Sequence, residues 1–240
     1  LDLRNNRREI TTTLTHQVAP KDILIHQKGN KPTPYVTLQQ AADTTRCIHI
    51  AYVAEGYTDA EMPVFLKDAQ EATEAIFAHE PFKSMRDRFN IVAVKSPSKQ
   101  SGPSIPAQGI WHETALSSHF DTFYSDRYLT TLHLKDLHNW LAGTPYEHII
   151  VLVNSDKYGG GGILNSYNLT TCHKKTKIPT PLSKKEKEAV SKVGVFEGAG
   201  YSLKGVYRGV QDCRMRINET PEFCAVCKKA LQDLIDFYTK

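Results

Sequence analysis

The side chains of His112, Glu113 and His119 are of the types that bind zinc and activate water in hydrolytic enzymes. Two zinc ligands on one helix stand four residues apart, as in HExxH, whereas these two histidines are seven positions apart. Pro106 and Gly109 also indicate a loop rather than a helix. No HExxH and no G-x-S-x-G occurs in the chain, so neither zinc nor serine catalysis has a local motif here.

Five cysteines give a second set of reactive side chains. Cys224 and Cys227 form a CxxC, a spacing compatible with zinc binding, with redox chemistry or with one face of a helix. A redox CxxC is expected early in a βαβ unit, and this one lies near the C-terminus in a helical pattern, which disfavours redox chemistry. In an exported protein, Cys213 could form a disulfide with either of the two.

A run of glycines follows the most apolar strand of the sequence. The β-branched run at 149–153 is typical of a strand buried on both faces, and Tyr158 then precedes Gly159, Gly160, Gly161 and Gly162. Four consecutive glycines are costly in backbone entropy, so we expect unusual backbone angles or a close approach there. Two interpretations stand, a flexible surface loop or a bare sheet edge along which another chain can lie.

A basic cluster lies just beyond the glycines. Six lysines and one acid fall between Lys174 and Lys187, so this segment carries +5 and the remainder of the +4 chain sums to −1. The cluster lacks the aromatic and arginine residues that single-stranded nucleic acids need. A solvated helix face is the simpler interpretation, and we expect no nucleic-acid partner.

Alternating strand and helix patterns must position these residues. The segments 47–54, 89–94 and 147–153 read as strands, separated by a helix that a capping box at 58–61 begins and by a second helix at about 125–141. A long polar loop fills 95–118, and a last helix is predicted to begin at Thr220. This order predicts an α/β fold with a mixed, mostly parallel sheet flanked by helices, ending in an irregular C-terminal part with one helix.

Length and composition limit how many domains the chain can form. The 240 residues, of which 40% are hydrophobic, suffice for one large soluble domain, and no stretch approaches the roughly 20 apolar residues of a membrane span. Residues 1–45 are polar and read as an arm with one short strand at 22–26. The start at Leu1, without a signal-like segment, suggests a piece of something longer.

Several short segments together resemble the IgA peptidase family of zinc metallopeptidases, which is common in Bacteroides-type gut bacteria. The resemblance covers roughly residues 46–235, and its pieces occur in order. They are 54–58 (AEGYT), 80–82 (EPF), 151–154 (VLVN), 158–160 (YGG), 197–201 (EGAGY), 207–208 (YR), 212–216 (DCRMR) and 223–227 (FCAVC).

The resemblance implies a zinc-dependent endopeptidase of zincin-like α+β fold that cleaves extracellular proteins and is secreted, periplasmic or on the cell surface. In that family an HExxH helix follows the glycine strand and holds the zinc. Here only a few residues intervene, so the resemblance implies a missing segment between 173 and 179. The catalytic domain would span 46–240, with an upper part at 46–172 and a C-terminal part at 178–240.

The resemblance also implies roles for particular residues. Peptide substrate would lie along Tyr158 and the four glycines that follow it, and Arg208 would fix a substrate carboxylate. Tyr207, or Tyr201, would reach the oxyanion, and Met215 would form an apolar floor beneath the zinc. The alternative from another class is a catalytically inactive α/β module that binds a peptide or glycoprotein along the glycine edge.

Overall fold

The computed structural model describes most of the chain. It describes every residue except 1, 6, 8, 16, 18, 22–31, 158, 161–167, 174–191, 201, 217–219 and 221, and for residue 4 and for 168–173 it describes the backbone alone. Two compact units are present, residues 1–30 and residues 31–240. The strand predicted at 22–26 and the lysine cluster lie outside the described residues.

The first unit contains an antiparallel pair, β1 (Asp2–Arg4) and β2 (Ile10–Thr13). The Asn5 carboxamide oxygen accepts hydrogen bonds from the backbone amides of Arg7 and Glu9, at 2.9 and 3.0 Å, and so orders the turn between the strands. The side chains of β2 are all exposed, so this strand adds no buried side chain to the described part of the unit.

A five-stranded sheet forms the centre of the second unit, in the order β3-β5-β4-β6-β7. The four strands from β5 to β7 in that order are parallel, and β3 pairs antiparallel with β5, which confirms the mixed, mostly parallel sheet. Strand β3 lies within the predicted arm, so the sheet begins earlier in the chain than the sequence suggested. The bounds are β3 Tyr35–Gln39, β4 Ile48–Glu55, β5 Phe89–Val94, β6 His148–Val153 and β7 Asn168–His173.

Both faces of the sheet are covered, which explains the nearly continuous apolar strands. Along β4, Ile50 and Tyr52 point into one core and Ala51 and Val53 into the other. The first core holds the helix that follows β4, and the second holds the helix that precedes β6. This arrangement is that of a doubly wound α/β sheet.

Three α-helices are described, α1 (Met62–Phe77), α2 (Leu134–Trp140) and α3 (Ala225–Tyr238). The predicted capping box is confirmed, because the Glu61 carboxylate accepts hydrogen bonds from the amide and hydroxyl of Thr58 at 2.9 Å. Helix α2 is shorter than the predicted 125–141, since Thr130 bonds with His119 as an extended bridge instead.

The C-terminal part consists of a hairpin and α3. Strands β8 (Phe196–Ala199) and β9 (Ser202–Arg208) pair antiparallel. Helix α3 begins later than predicted: Cys224, not Thr220, is its N-cap, because the backbone at Cys224 is extended and its sulfur accepts the Cys227 amide. Among the described helices, none combines the length and apolar character needed to cross a membrane.

Candidate functional site

The carboxyl ends of β4 and β6 lie side by side at one edge of the sheet. Strand β4 ends at Glu55 beside Val153 of β6. The chain passes from β4 to β5 and from β6 to β7. Strands β5 and β7 lie on opposite sides of the β4–β6 pair, so the two connections leave this pair in opposite directions. In open α/β sheets the crevice at such a reversal is where ligands bind. This edge is therefore a candidate ligand-binding site.

A buried carboxylate holds the long loop over this edge. Glu55 is fully buried, and its oxygens accept hydrogen bonds from the Thr114 hydroxyl at 2.6 Å, the Leu116 amide at 2.8 Å and the Ser118 amide at 2.9 Å. Three donors compensate the desolvation of the carboxylate. Glu55 thus fixes the 95–118 loop, and nothing in its local sequence signals that role.

Four residues near Glu55 form what we call the carboxyl-edge site. Gly56 contributes its backbone carbonyl, and Glu61, Ser101 and Asn154 contribute their side chains. The Asn154 carboxamide donates to the Gly56 carbonyl at 3.1 Å, to Glu61 at 3.2 Å and to the Ser101 hydroxyl at 3.2 Å. Ser101 also donates to Glu61 at 2.9 Å. These contacts join both strand ends to the loop in one polar network.

The network keeps the Glu61 side chain negatively charged at this edge. Burial raises the pKa of the Glu61 carboxyl, but hydrogen bonds from Thr58, Ser101 and Asn154 outweigh burial and leave the pKa below its usual value. Glu61 is therefore ionised at neutral pH. The sequence marked Glu61 as a capping residue only and did not indicate its contact with Asn154, since the two are 93 positions apart.

The two loop histidines bond to different backbone carbonyls. His112 Nδ1 lies 3.1 Å from the Gly102 carbonyl, and His119 Nδ1 lies 2.6 Å from that of Phe120. These contacts orient each imidazole within the loop. In the described residues, neither histidine belongs to a cluster of three or more potential metal ligands.

The described part of the glycine run packs against the loop before α2. A Cβ on Gly159 would lie 2.5 Å from a Phe120 ring carbon and 2.6 Å from the Arg127 carbonyl oxygen. The Gly160 amide donates to the Arg127 carbonyl at 2.9 Å, and the Gly160 carbonyl accepts from the Leu129 amide at 3.4 Å. Gly159 is thus required by a close approach within the chain. Tyr158, Gly161 and Gly162 lie outside the described residues.

The remaining predicted site residues lie in the C-terminal part. The Arg208 guanidinium donates to the carbonyls of Glu197 at 2.7 Å, Gln211 at 2.9 Å and Gly198, and so ties the hairpin together. Tyr207 and Met215 are each 59% exposed. Arg208 and Met215 line one cavity of about 720 Å³, which neither Gly159 nor Gly160 lines. Tyr201 lies outside the described residues.

The fold and this edge together define a doubly wound α/β domain with a polar hydrogen-bond network at the carboxyl ends of its parallel strands. The chain matches the family model described as IgA Peptidase M64 over residues 36–180 and 173–235, and it belongs to this family of peptidases. No curated protein matches the chain.

The family match is divided where the resemblance implied a missing segment. Its two parts meet and overlap at 173–180, and the predicted gap lies between 173 and 179. The chain has no HExxH, and in the described residues the only cluster of three metal-ligand side chains is made of cysteines. The described residues therefore do not fit a histidine-bound catalytic zinc.

Proposed function

We propose that the protein is a zinc-dependent endopeptidase whose metal-binding helix belongs to a segment, between 173 and 179, that these 240 residues lack. The observation that carries this proposal is the division of the family match at 173–180. A segment inserted there would supply the HExxH ligands without disturbing the order of the strands before it or of the hairpin and helix after it.

An apolar groove in the structure supports the same proposal. Its cavity has a volume of about 570 Å³ and is lined by Ile50 and Ile150 on the sheet, Ile76 on α1, and Phe82 and Phe223. Ile150 is only half-buried, although it occupies the central part of the sheet. An amphipathic helix needs such an apolar surface to pack against, and the groove offers one.

We also propose a class of substrate and a location for the protein. The name of the family refers to IgA, an extracellular protein, and we place the protein among secreted, periplasmic or cell-surface peptidases with protein substrates. Tyr158, Gly161 and Gly162 would guide the peptide backbone, and Gly159 and Gly160, whose backbones pack against Arg127 and Leu129, would hold that segment in position. Tyr207, Arg208 and Met215 would line the side of the cleft formed by the C-terminal part.

Intact-mass measurement on the protein purified from its natural source tests the proposal. A mass above 27.0 kDa, with a tryptic peptide containing HExxH between 173 and 179, supports it. The same preparation should then cleave a peptide library, lose that activity on dialysis against a chelator, and regain it with Zn²⁺. A peptide that runs unbroken from 173 to 179 as printed would end the proposal.

The second candidate is a catalytically inactive module that binds a peptide or glycoprotein, and the absence of HExxH from the 240 residues favours it. It predicts that the chain as printed binds unstructured peptides in a fluorescence-anisotropy titration, with the same affinity before and after chelation. Chelator-sensitive cleavage by that chain would contradict this second candidate.

A further inference from the structure

Three cysteine thiols converge where the C-terminal hairpin meets α3. Cys213 follows β9, while Cys224 and Cys227 stand at the start of α3, and all three sulfur atoms lie within 4.8 Å of one another. Cys213 and Cys224 are 5% and 6% exposed, and Cys227 is half-buried. Three soft ligands brought together in one largely buried cluster are the donor set that thiophilic metals prefer.

Backbone amides point at two of these sulfurs. The Cys224 amide donates to Cys213 Sγ at 3.1 Å, and the Cys227 amide donates to Cys224 Sγ at 3.4 Å. Amide hydrogen bonds stabilise sulfur most when it is a thiolate, the form that ligates metal. The N-terminus of α3, a helix of 14 residues, adds a favourable partial positive charge beside Cys224.

The number and spacing of the sulfurs favour a metal over a disulfide. A disulfide joins two sulfurs at about 2.05 Å and leaves the third thiol buried without a covalent partner. Tetrahedral zinc with bonds of about 2.3 Å holds its sulfur ligands roughly 3.8 Å apart. The three thiols, all free and within 4.8 Å, reach that spacing with small side-chain movements.

We propose that Cys213, Cys224 and Cys227 bind a divalent zinc-like metal ion that fastens the hairpin to the start of α3. Binding converts three thiols to thiolates and releases their protons to solvent. No fourth histidine, cysteine or carboxylate joins the cluster in the part of the chain that the structure describes. The fourth position faces the cavity of about 720 Å³, where water completes the coordination.

Cobalt titration of the reduced, metal-free full-length chain tests the proposal, because tetrahedral Co²⁺–thiolate centres absorb characteristically. We expect about one Co²⁺ per chain and displacement of the signal by Zn²⁺. Serine in place of Cys213, Cys224 or Cys227 should weaken binding by at least about 100-fold. Cys47→Ser is the matched control, because Cys47 is also buried but stands outside the cluster, and it should bind as the unaltered chain does.

A measurement on the unaltered chain keeps the test independent of how the variants fold. Zn²⁺ should protect Cys213, Cys224 and Cys227 from alkylation, and a chelator should restore their reactivity, as read by peptide mass. A disulfide between any two of them in protein isolated without reductant, together with no bound metal, would overturn the proposal. So would Co²⁺ binding that survives serine at all three positions.

Discussion

The backbones of Gly56 and Gly102 touch at the carboxyl edge of the sheet, where the Gly102 amide donates to the Gly56 carbonyl at 2.8 Å. Gly56 has a φ of +71°, and a Cβ there would lie 2.9 Å from the Gly102 carbonyl carbon. Both a left-handed backbone and the lack of a side chain are therefore required at Gly56. This contact brings the 95–118 loop directly against the end of β4.

Alanine at Gly56 should destabilise the fold more than alanine at another left-handed glycine. Gly109 is the matched control, with a φ of +68° and nothing within 4 Å of its Cβ position. Gly109→Ala should cost about 1 kcal/mol of unfolding free energy from backbone strain alone. Gly56→Ala should cost at least about 1 kcal/mol more through the clash. Equal losses in urea unfolding would contradict the close approach.

Replacing Glu55 by glutamine should loosen the loop over the carboxyl edge. A carboxamide offers one acceptor oxygen in place of two and turns its NH₂ toward donors, so Glu55→Gln should lower the free energy of unfolding by at least about 2 kcal/mol. Hydrogen exchange at Leu116 and Ser118 should also accelerate, because their amides donate to Glu55.

The control for Glu55 is an exposed glutamate on the same loop. Glu113 is 66% exposed and pairs with Lys99 at the surface, so Glu113→Gln should change stability by less than about 1 kcal/mol. If the two variants prove equally stable, Glu55 does not anchor the loop.

Acid should weaken the fold partly through Glu61. Its folded pKa lies below the ordinary value of 4.5, so the unfolded chain binds a proton first as pH falls. The stabilisation is complete above 4.5 and is lost as pH falls through the lower, folded pKa. Glu61→Gln should therefore be less stable than the unaltered chain at neutral pH, and this difference should shrink as the pH is lowered. Urea unfolding at a series of pH values measures it, and a constant difference would refute the assignment.

Alanine at Gly159 should be destabilising for a reason unrelated to any substrate. Its Cβ would clash with Phe120 and the Arg127 carbonyl, and we expect a loss of about 1–3 kcal/mol in unfolding free energy. Gly194→Ala is the comparison, since its nearest neighbour is the Phe196 ring at 3.1 Å, which can move, and it should cost less. Unchanged stability of Gly159→Ala, with altered peptide binding, would instead support the docking interpretation.

Local patterns in the sequence determined the main elements of this protein. Strand patterns at 47–54, 89–94 and 147–153 predicted β4, β5 and β6. The Thr58 and Glu61 pair correctly predicted the start of the helical segment that leads into α1. These features depend on neighbours within a few residues, so one sequence suffices to predict them. The same reasoning placed the short helix α2 too early, because the contact of Thr130 with His119 is not local.

Only the tertiary structure decided which residues meet at the sites. Glu55 and Ser118 are 63 positions apart, and Asn154 and Glu61 are 93 apart, so their hydrogen bonds exist only after the parallel strands have aligned. The sequence marked Cys224 and Cys227 as a pair and named Cys213 as a partner of either one. Folding of the hairpin against α3 brought all three sulfurs within 4.8 Å of one another, because the turn after β9 and the N-terminus of that helix share one small core.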